Sequence, residues 1–333
     1  MAATFLLSAW LTPLARMVAV RFGVVDAPDG GRKQHGGVTP LLGGLAIVAG
    51  FVIPLVIVLL STDHLTSGSI TMRHFVGFLI GVGILTVTGV LDDRFAMSAK
   101  YSMVFFAIAS LAAVAGGIEV SKITNPLGGV IVLAPVAASI VAFVWIIAMT
   151  MTTKLLDGVD GLAASISAVA SLMIAALALT PTYFQSDVAL LALMFAGAVL
   201  GFLLWNWHPA QVFMGEVGST TLGFTVGVLS VIAGSKMATA LLVLGIPAID
   251  VALVAWRRYR AGHNPFTTAD RRHFHLLLLD AGMSARQVVA FYVGITLLFG
   301  LSTLVFVSWQ KVLALAILAL VSAIGISIVA KRV

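Results

Sequence analysis

A polar stretch at residues 151–162 interrupts two long apolar runs and contains three ionisable side chains, Lys154, Asp157 and Asp160. Ionisable groups beside membrane-length apolar segments are costly to bury and are therefore usually functional. A glycine follows each aspartate and permits a ligand to approach the backbone closely. Asp160 could instead cap the helix that follows. Lys154 could pair with Asp157 or reach a phosphate group as a point charge.

Two adjacent carboxylates, Asp92 and Asp93, follow the apolar run at residues 73–91. The C-terminal end of a helix carries partial negative charge, so two carboxylates there require a compensating positive charge. Arg94 could supply it for one of them. A divalent cation with oxygen ligands, most naturally Mg²⁺, would neutralise both. The pair therefore favours a metal or catalytic site over an ordinary ion pair.

Two further polar segments could bind an anion or a metal. Glu216 lies between two glycines within residues 213–219, directly before an apolar run. Ser219 is the expected N-cap of that run, and the amides at a helix N-terminus can also bind phosphate oxygens. His273 and His275 could be a metal-binding pair or a phosphate contact.

Two basic loops complete the set of polar segments. The first, at residues 32–44, contains Lys33 and His35, and the second spans residues 257–286. Such loops ordinarily report topology and contact anionic lipid headgroups. Asp250 lies within an apolar run on the same helical face as Arg257, and an ion pair between the two is the default expectation.

The composition predicts the class of protein. Hydrophobic residues make up 60% of the 333 positions and charged residues 10%, with a mean hydropathy of +1.12. Soluble domains are nearer half apolar and a quarter charged, so we expect a polytopic membrane protein. The absence of cysteine excludes disulfides, thiolate catalysis and cysteine-ligated metals. The basic residues form no basic, aromatic-rich domain, so nucleic acid is not an expected partner.

Apolar windows of about 20 residues predict an all-α polytopic integral membrane protein with about 10–11 transmembrane helices. No hydrophilic stretch is long enough for a soluble domain, so residues 1–333 are expected to form a single transmembrane domain. The predicted spans are residues 3–20, 41–61, 73–91, 101–118, 130–150, 161–180, 187–205, 219–234, 237–256, 288–308 and 311–330.

Alternation of these spans places fifteen of the nineteen Lys and Arg residues on one side, which the positive-inside rule assigns to the cytoplasm. The N-terminus is then outside and the C-terminus inside. Ten of the thirteen acidic residues and five of the seven histidines also fall on or near the cytoplasmic side, which that rule does not require. We therefore expect one active site built from cytoplasmic loops.

Together, these stretches resemble the polyprenyl-phosphate N-acetylhexosamine-1-phosphate transferases of glycosyltransferase family 4 (the MraY/WecA superfamily), and most closely the WecA/TagO branch. The resemblance extends over nearly the whole chain. The matching stretches, in chain order, are Val25-Asp26-Ala-Pro28 with Arg32-Lys33-Gln-His35, then Leu91-Asp92-Asp93, then Asp157-Gly-Val-Asp160-Gly-Leu-Ala, and then Asn206 through Phe213-Met-Gly to Gly218-Ser219.

The resemblance implies transfer of a sugar 1-phosphate, by default N-acetylglucosamine 1-phosphate, from a UDP-sugar to undecaprenyl phosphate with release of UMP. Such an enzyme lies in the bacterial inner membrane and initiates the synthesis of cell-envelope polysaccharides such as lipopolysaccharide. Its partners would be its two substrates and membrane lipids, and a homodimer is an open alternative.

The resemblance also implies roles for residues at matching positions. Mg²⁺, or alternatively Mn²⁺, would be held by Asp92, Asp93 and Glu216. The implied catalytic residues are Asp92, Asp93, Asp157 and Asp160. Phe213 would stack on uracil, Lys33 would contact the diphosphate, and the two histidines would contact phosphate. The full set of implied substrate-binding residues is Lys33, His35, Lys154, Asn206, Phe213, His273 and His275.

Four positions depart from the family pattern. Lys154 and Met151 stand where the family has asparagines, and Leu276 replaces the last histidine of a His-x-His-His pattern. Glu216 replaces a metal-ligating aspartate. It can still ligate Mg²⁺, but its extra methylene moves the oxygen by more than the roughly 0.5 Å tolerance of a preorganised site. Lys154 could bind a phosphate oxygen or an acidic sugar group, or it could repel the metal. Altered specificity and lowered activity are both open.

Two other functions compete with the enzyme. A catalytically impaired paralogue that binds polyprenyl phosphate would explain the four substitutions, but the four motif aspartates are retained. A secondary transporter would have charges near the bilayer midplane and paired broken helices, whereas most charges here lie at one interface. Release of UMP separates the transferase from both alternatives.

Overall fold

The computed structural model describes residues 1–26, 38–125, 128–234, 237–260, 262 and 273–330. Within them the chain is almost entirely helical. The helices are α1 (Ala2–Arg21), α2 (Gly43–Ser61), α3 (Met72–Phe95), α4 (Ala99–Ala115), α5 (Pro135–Leu156), α6 (Leu162–Ala178), α7 (Ser186–Asn206), α8 (Gly215–Ile232), α9 (Met237–Val243), α10 (Gly245–Arg260), α11 (Phe274–Asp280), α12 (Ala285–Val305) and α13 (Ser308–Val329).

Two short antiparallel hairpins occupy loops between helices. Strand β1 (Val25–Asp26) pairs with β2 (Thr39–Pro40), with Val25 opposite Pro40. Strand β3 (Lys122–Thr124) pairs with β4 (Val130–Val132) in the loop between α4 and α5. The first hairpin leads into α2 on the side of the bundle where α3, α5 and α7 end. The second lies at the opposite end.

The predicted all-α polytopic membrane architecture is confirmed. Among the described residues, eight helices are long and apolar enough to cross a membrane, and the pair α9–α10 together meets the same test. Helices α4 and α6 are apolar but shorter. Each of the eleven predicted spans coincides with one of these helices or with the α9–α10 pair. The prediction that residues 1–333 form one domain stays a prediction.

Helix α8 lies at the centre of the bundle, and nearly all of its residues are buried. It packs against α2, α3, α5 and α6. Glycines allow these backbones to approach closely, as in membrane helix interfaces generally. A Cβ added to Gly89 of α3 would lie 2.6 Å from the backbone nitrogen of Val217, and one added to Gly223 would lie 2.4 Å from the carbonyl oxygen of Met149. The ends of α3 and α5 are thereby held against the start of α8.

The predicted span at residues 237–256 is broken into α9 and α10, which meet at an angle of 82°. Pro247 explains the break, because it has no N–H to donate to the carbonyl of Val243, the last residue of α9. That carbonyl instead accepts a hydrogen bond of 3.2 Å from the Thr296 hydroxyl on α12. A helix break at membrane depth persists where neighbouring helices satisfy the freed backbone groups in this way.

The expected N-cap of α8 is wrong, and Asp160 does not have the capping role that was left open for it. Helix α8 begins at Gly215, four residues earlier than expected, so Ser219 lies inside the helix. The N-cap of α6 is Gly161, with a φ of +74° and no side-chain capping bond. Asp160 instead contacts His208 and the N–H of Ala210. The Ser219 hydroxyl lies 3.5 Å from the carbonyl oxygen of Glu216 in its own helix.

Candidate active site

The C-terminal end of α3 and the N-terminal end of α8 meet at Asp93. Its Oδ1 accepts a hydrogen bond of 2.8 Å from the backbone N–H of Glu216, in the first turn of α8. Gly215 has a φ of +64°, and a Cβ there would lie 2.4 Å from Asp93 Oδ2. A glycine is therefore required for Asp93 to reach the free amides of the helix N-terminus. The second oxygen, Oδ2, is buried and has no hydrogen-bond partner.

Asp92, the neighbouring carboxylate, faces the start of α4. Its Oδ1 accepts a hydrogen bond of 2.6 Å from the backbone N–H of Met97, and its Oδ2 lies 3.5 Å from the Ser102 hydroxyl. A small cavity opens beside it, lined by Thr88, Gly89, Asp92, Met97, Ser102, Phe105, Phe106, Glu216 and Thr220. The two adjacent aspartates thus have different environments.

Lys154, in the last turn of α5, forms an ion pair with Glu216. Its ammonium nitrogen also lies 4.0 Å from Asp92 Oδ2 and 5.3 Å from the centre of the Phe106 ring. Of the two roles left open for Lys154, pairing with Asp157 is not the one found, since Glu216 and Asp92 are the carboxylates that it meets. The side chain joins α5 to α3, α4 and α8 at a single point.

Asp157 follows the last residue of α5 and is partly buried among other carboxylates. Burial, followed by repulsion from Glu216, Asp93 and Asp160, raises the pKa of the Asp157 carboxyl to about 8. No positively charged side chain of the described residues contacts it. Asp157 therefore lies where the site lacks positive charge.

Asp160 is held by the loop that follows α7. Its Oδ2 lies 2.7 Å from Nδ1 of His208 and accepts a hydrogen bond of 3.0 Å from the N–H of Ala210. Arg286, at the start of α12, donates to the carbonyl oxygen of His208 at 3.0 and 3.2 Å. These contacts fix the 157–161 loop against the 206–214 loop.

Asn206 links the same two loops from inside the protein. Its side-chain oxygen accepts a hydrogen bond of 3.1 Å from Gly161 N–H, and its nitrogen donates 2.9 Å to the carbonyl oxygen of Val212. The side chain is only 2% exposed. Both polar atoms of Asn206 thus have partners within the protein, and the substrate-binding role that the resemblance implies stays a prediction.

His273 and His275 lie at the start of α11, with rings stacked 5.8 Å apart. Nδ1 of His273 lies 2.9 Å from Asp250 Oδ2, and Asp250 Oδ1 accepts a hydrogen bond of 3.0 Å from Phe274 N–H. Both oxygens of Asp250 therefore contact the start of α11. The expected ion pair between Asp250 and Arg257 is wrong. All three side chains are buried.

His275 reaches the 157–161 loop. A Cβ added to Gly158 would lie 2.7 Å from His275 Nε2, so the ring packs directly against that glycine. Burial and the adjacent His273 lower the pKa of His275 to about 3, which keeps the ring neutral near pH 7. Its Nδ1 is buried without a hydrogen-bond partner. Nε2 is the ring nitrogen that faces the glycine loop.

The first loop also joins the site. Phe213 N–H donates 2.8 Å to the carbonyl oxygen of Pro40, and Gly43 N–H donates 3.0 Å to the carbonyl oxygen of Phe213. These bonds hold Phe213, which is partly buried, beside the first hairpin. Lys33 and His35, expected in this loop, lie outside the described residues.

The side chains suit a divalent cation at one place. Asp93 Oδ2 is an unpartnered buried oxygen, and Asp157 lacks a counter-charge. Mg²⁺ is commonly held by one or two carboxylates together with water and substrate phosphates. In the described part of the chain, no three His, Asp or Glu side chains form a preformed metal site. Asp92, Asp93 and Glu216 lie close together, but their role as metal ligands stays a prediction.

Sequence reasoning missed three contributors to this site. His208, two residues after the predicted Asn206, was counted among the histidines of the expected cytoplasmic side but was given no role in the site. Asp250 was assigned an ion pair, although an ionisable residue within a membrane span is by default a functional candidate. Phe106 lies beneath the Lys154 ammonium. Nothing in the sequence predicted this role, since an aromatic residue in an apolar helix ordinarily packs in the core or faces lipid.

Residues 75–234 match the model of glycosyl transferase family 4. A "Probable undecaprenyl-phosphate N-acetylglucosaminyl 1-phosphate transferase" of Bacillus subtilis (strain 168) is 31% identical, over 89% of this chain and 80% of that protein. A decaprenyl-phosphate N-acetylglucosaminephosphotransferase of Mycolicibacterium smegmatis is 30% identical, over 98% of this chain and 85% of that protein. An undecaprenyl-phosphate alpha-N-acetylglucosaminyl 1-phosphate transferase of Escherichia coli (strain K12) is 32% identical, over 85% of this chain and 76% of that protein.

Proposed function

The chain belongs to glycosyl transferase family 4, and we propose that it transfers N-acetylglucosamine 1-phosphate from UDP-N-acetylglucosamine to undecaprenyl phosphate. An oxygen of the lipid phosphate forms a bond to the sugar-bearing phosphorus of the donor. The bond from that phosphorus to the bridging oxygen breaks, and UMP leaves. The relatives' names support both the transferred group and a polyprenyl phosphate acceptor.

One observation supports this function most directly. Carboxylates from the ends of α3 and α5 converge on the start of α8, where Asp93 keeps one buried oxygen unpartnered. A phosphate monoester is already largely ionised near neutral pH because its second pKa is about 6. The acceptor therefore needs little activation by a base. The task of the site is to position two anionic substrates and to offset their charge.

Mg²⁺ is the cofactor in this proposal, with Mn²⁺ as a substitute. When bound, it supplies positive charge that stabilises the transferring phosphoryl group. Asp93 and Asp157 are the residues of this chain best suited to hold it, because neither has a positively charged partner among the described side chains. Asp92 and Glu216, also predicted as ligands, face the Lys154 ammonium.

The remaining residues would bind and orient the substrates. His275 offers a neutral ring nitrogen at the Gly158 loop, where it can donate to a phosphate oxygen. Asp250 fixes His273 beside it. Phe213 is positioned by Pro40 and Gly43 to stack on the uracil. Asp160 holds the 157–161 loop against the 206–214 loop through its contact with His208. Lys33 and His35 would contact the diphosphate from the first loop.

The protein is a multi-pass membrane protein. We place it in the bacterial inner membrane, with its N-terminus outside and its C-terminus and active site in the cytoplasm, because most basic residues lie on the active-site side. There it would initiate the synthesis of a cell-envelope polysaccharide. A homodimer stays a prediction.

The proposal is tested by analysing the lipid product. Purified protein in detergent is incubated with undecaprenyl phosphate, UDP-N-acetylglucosamine and Mg²⁺, and the lipids are examined by mass spectrometry. We expect undecaprenyl diphosphate carrying one N-acetylhexosamine, and none from Asp92→Asn or Asp93→Asn. An impaired paralogue would bind the lipid without forming this product, and a transporter would leave the donor unchanged.

A further inference from the structure

The most unusual feature of the site is an ammonium group held between two of its carboxylates. The Lys154 nitrogen contacts Glu216 and lies 4.0 Å from Asp92 Oδ2. The side chains of Asp92 and Glu216 are each 16% exposed, and that of Lys154 is 24% exposed. A point charge so enclosed is stable only when opposite charges surround it closely. The three side chains therefore form one charge-compensated group, here called the lysine cluster (Lys154, Asp92 and Glu216).

The surroundings fix the ammonium in place. Phe106 presents its ring 5.3 Å from the nitrogen, a distance at which a cation is attracted to an aromatic face. The lysine leaves from α5, and its partners come from α3, α4 and α8. Since those helices pack through glycine contacts, the ammonium has little freedom to move to another position.

Two other carboxylates of the site receive no such compensation. Asp93 points to the start of α8 and keeps Oδ2 unpartnered, and Asp157 has no cationic contact within the described residues. The site is thus divided. On one side a side chain supplies the positive charge, and on the other side that charge is missing.

We propose that Lys154 is a tethered cation that occupies the Asp92–Glu216 side of the site and confines a divalent cation to the Asp93–Asp157 side. The inference rests on the proposed function, since it concerns which positive charges offset the carboxylates of the same site. Lys154 is in this view a positioning residue: it decides which carboxylates are free to ligate. Glu216 serves the lysine rather than the metal.

The test measures Mn²⁺ binding to purified protein in detergent by electron paramagnetic resonance, without donor or lipid acceptor. Lys154→Asn removes one positive charge and frees Asp92 and Glu216 as oxygen ligands. We expect it to bind Mn²⁺ at least about tenfold more tightly than the wild type, because the ammonium, 4.0 Å from Asp92 Oδ2, repels a cation that approaches these carboxylates. Lys154→Arg, which keeps the charge, should bind as the wild type does.

Two further variants make the result specific. Lys100→Asn removes an exposed positive charge at the start of α4 and should leave Mn²⁺ affinity unchanged. Glu216→Gln added to Lys154→Asn should remove most of the gain, because the freed carboxylate is then absent. Asp93→Asn should weaken Mn²⁺ binding in the wild-type background.

Unchanged or weaker Mn²⁺ binding by Lys154→Asn would overturn the inference, as would an equal gain in Lys100→Asn. If Lys154→Asn does not fold, Lys154→Gln provides the test. It also removes the positive charge while keeping a long side chain, and we expect it to bind Mn²⁺ at least about tenfold more tightly than the wild type. Unchanged or weaker binding by a folded Lys154→Gln protein would overturn the inference. Since no substrate is present, failure of the transferase proposal would leave these results interpretable.

Discussion

The Asp93 carboxylate accepts a hydrogen bond of 2.8 Å from the backbone N–H of Glu216, and this contact joins the last turn of α3 to the first turn of α8. The second oxygen of Asp93 remains buried and unpartnered. Oδ1 of Asp93 therefore has a structural role, whereas Oδ2 is free to bind a cation. Replacement by asparagine should separate the two roles.

Asp93→Asn should reduce the rate of UMP release by more than about a hundredfold. The asparagine oxygen can still accept from Glu216 N–H, but the side chain no longer carries the negative charge that a divalent cation needs. Thermal unfolding should stay at or above the wild-type midpoint, because a buried negative charge has been removed. Substantial UMP release by a folded Asp93→Asn protein would exclude this residue from the chemistry.

Lys154 and Glu216 should behave as a unit in turnover. Lys154→Asn and Glu216→Asp should each lower kcat/KM by about tenfold or more, since each change disturbs the charge balance or geometry of the lysine cluster. The double variant, which has the residue pair typical of the family, should be more active than either single variant. Contacting residues of this kind show coupling energies of about 0.5–3 kcal/mol. Strictly additive losses would mean that the ion pair has no functional role.

Asp250→Asn should lower kcat by about tenfold to a hundredfold and alter the pH profile of turnover. Asp250 orients His273 through a 2.9 Å contact, and a displacement of about 1 Å in a catalytic site costs rate on this scale. The effect should be non-additive with His273→Gln. Asp187→Asn is the matched control, because Asp187 is a buried aspartate that accepts from Ile70 N–H instead. An identical change of pH profile in Asp187→Asn would refute the assigned role.

Gly158→Ala should impair turnover by steric displacement alone. The added Cβ would lie 2.7 Å from His275 Nε2, so either the ring or the 157–161 loop must move. Gly83→Ala, within α3, adds the same methyl group where no atom lies within 4 Å, and should leave UMP release unchanged. Equal activity of the two variants would show that His275 does not need its contact with the loop.

His275 should make the folded protein sensitive to acid. Its folded-state pKa of about 3 lies below its ordinary value of 6.5, so stability is fully present above pH 6.5 and is lost as the pH falls below it. By pH 5 the loss should reach about 2 kcal/mol, at about 1.4 kcal/mol per pH unit. His275→Gln should show a smaller loss between pH 7 and pH 5 in thermal unfolding. Exposed His64→Gln should behave as the wild type, and equal slopes for all three proteins would contradict the prediction.

The sequence predicted the helices well, because the length and apolarity of a membrane span are local properties. It could not predict the break at Val243, although Pro247 is visible, since many prolines in membrane helices cause only a kink. Ser219 was the expected N-cap of α8, and an N-cap was one of the two roles left open for Asp160. Capping preferences are local, and here the contacts of Asp160 with His208 and Ala210 outweighed them.

The candidate site was predictable as a set of loops but not as a set of contacts. The polar loops were expected to meet on one membrane face, and in the structure His275 packs against Gly158 while Asp93 contacts the start of α8. The functional roles of these residues stay predictions. Asp157 was considered as a partner of Lys154 because it is near in sequence, whereas the partner found, Glu216, is 62 residues away. Only the packing of α5 against α8 brings the two together. Lys154 and Glu216 each depart from the family pattern described above, and in the structure the two residues form one ion pair.

The most direct measurement is UMP release by purified protein in detergent, with undecaprenyl phosphate, Mg²⁺ and a panel of UDP-sugars. The account predicts release that depends on the lipid acceptor, is greatest with UDP-N-acetylglucosamine and is abolished in Asp93→Asn. No release with any UDP-N-acetylhexosamine, from folded protein that still binds undecaprenyl phosphate, would contradict it and would favour a catalytically impaired paralogue.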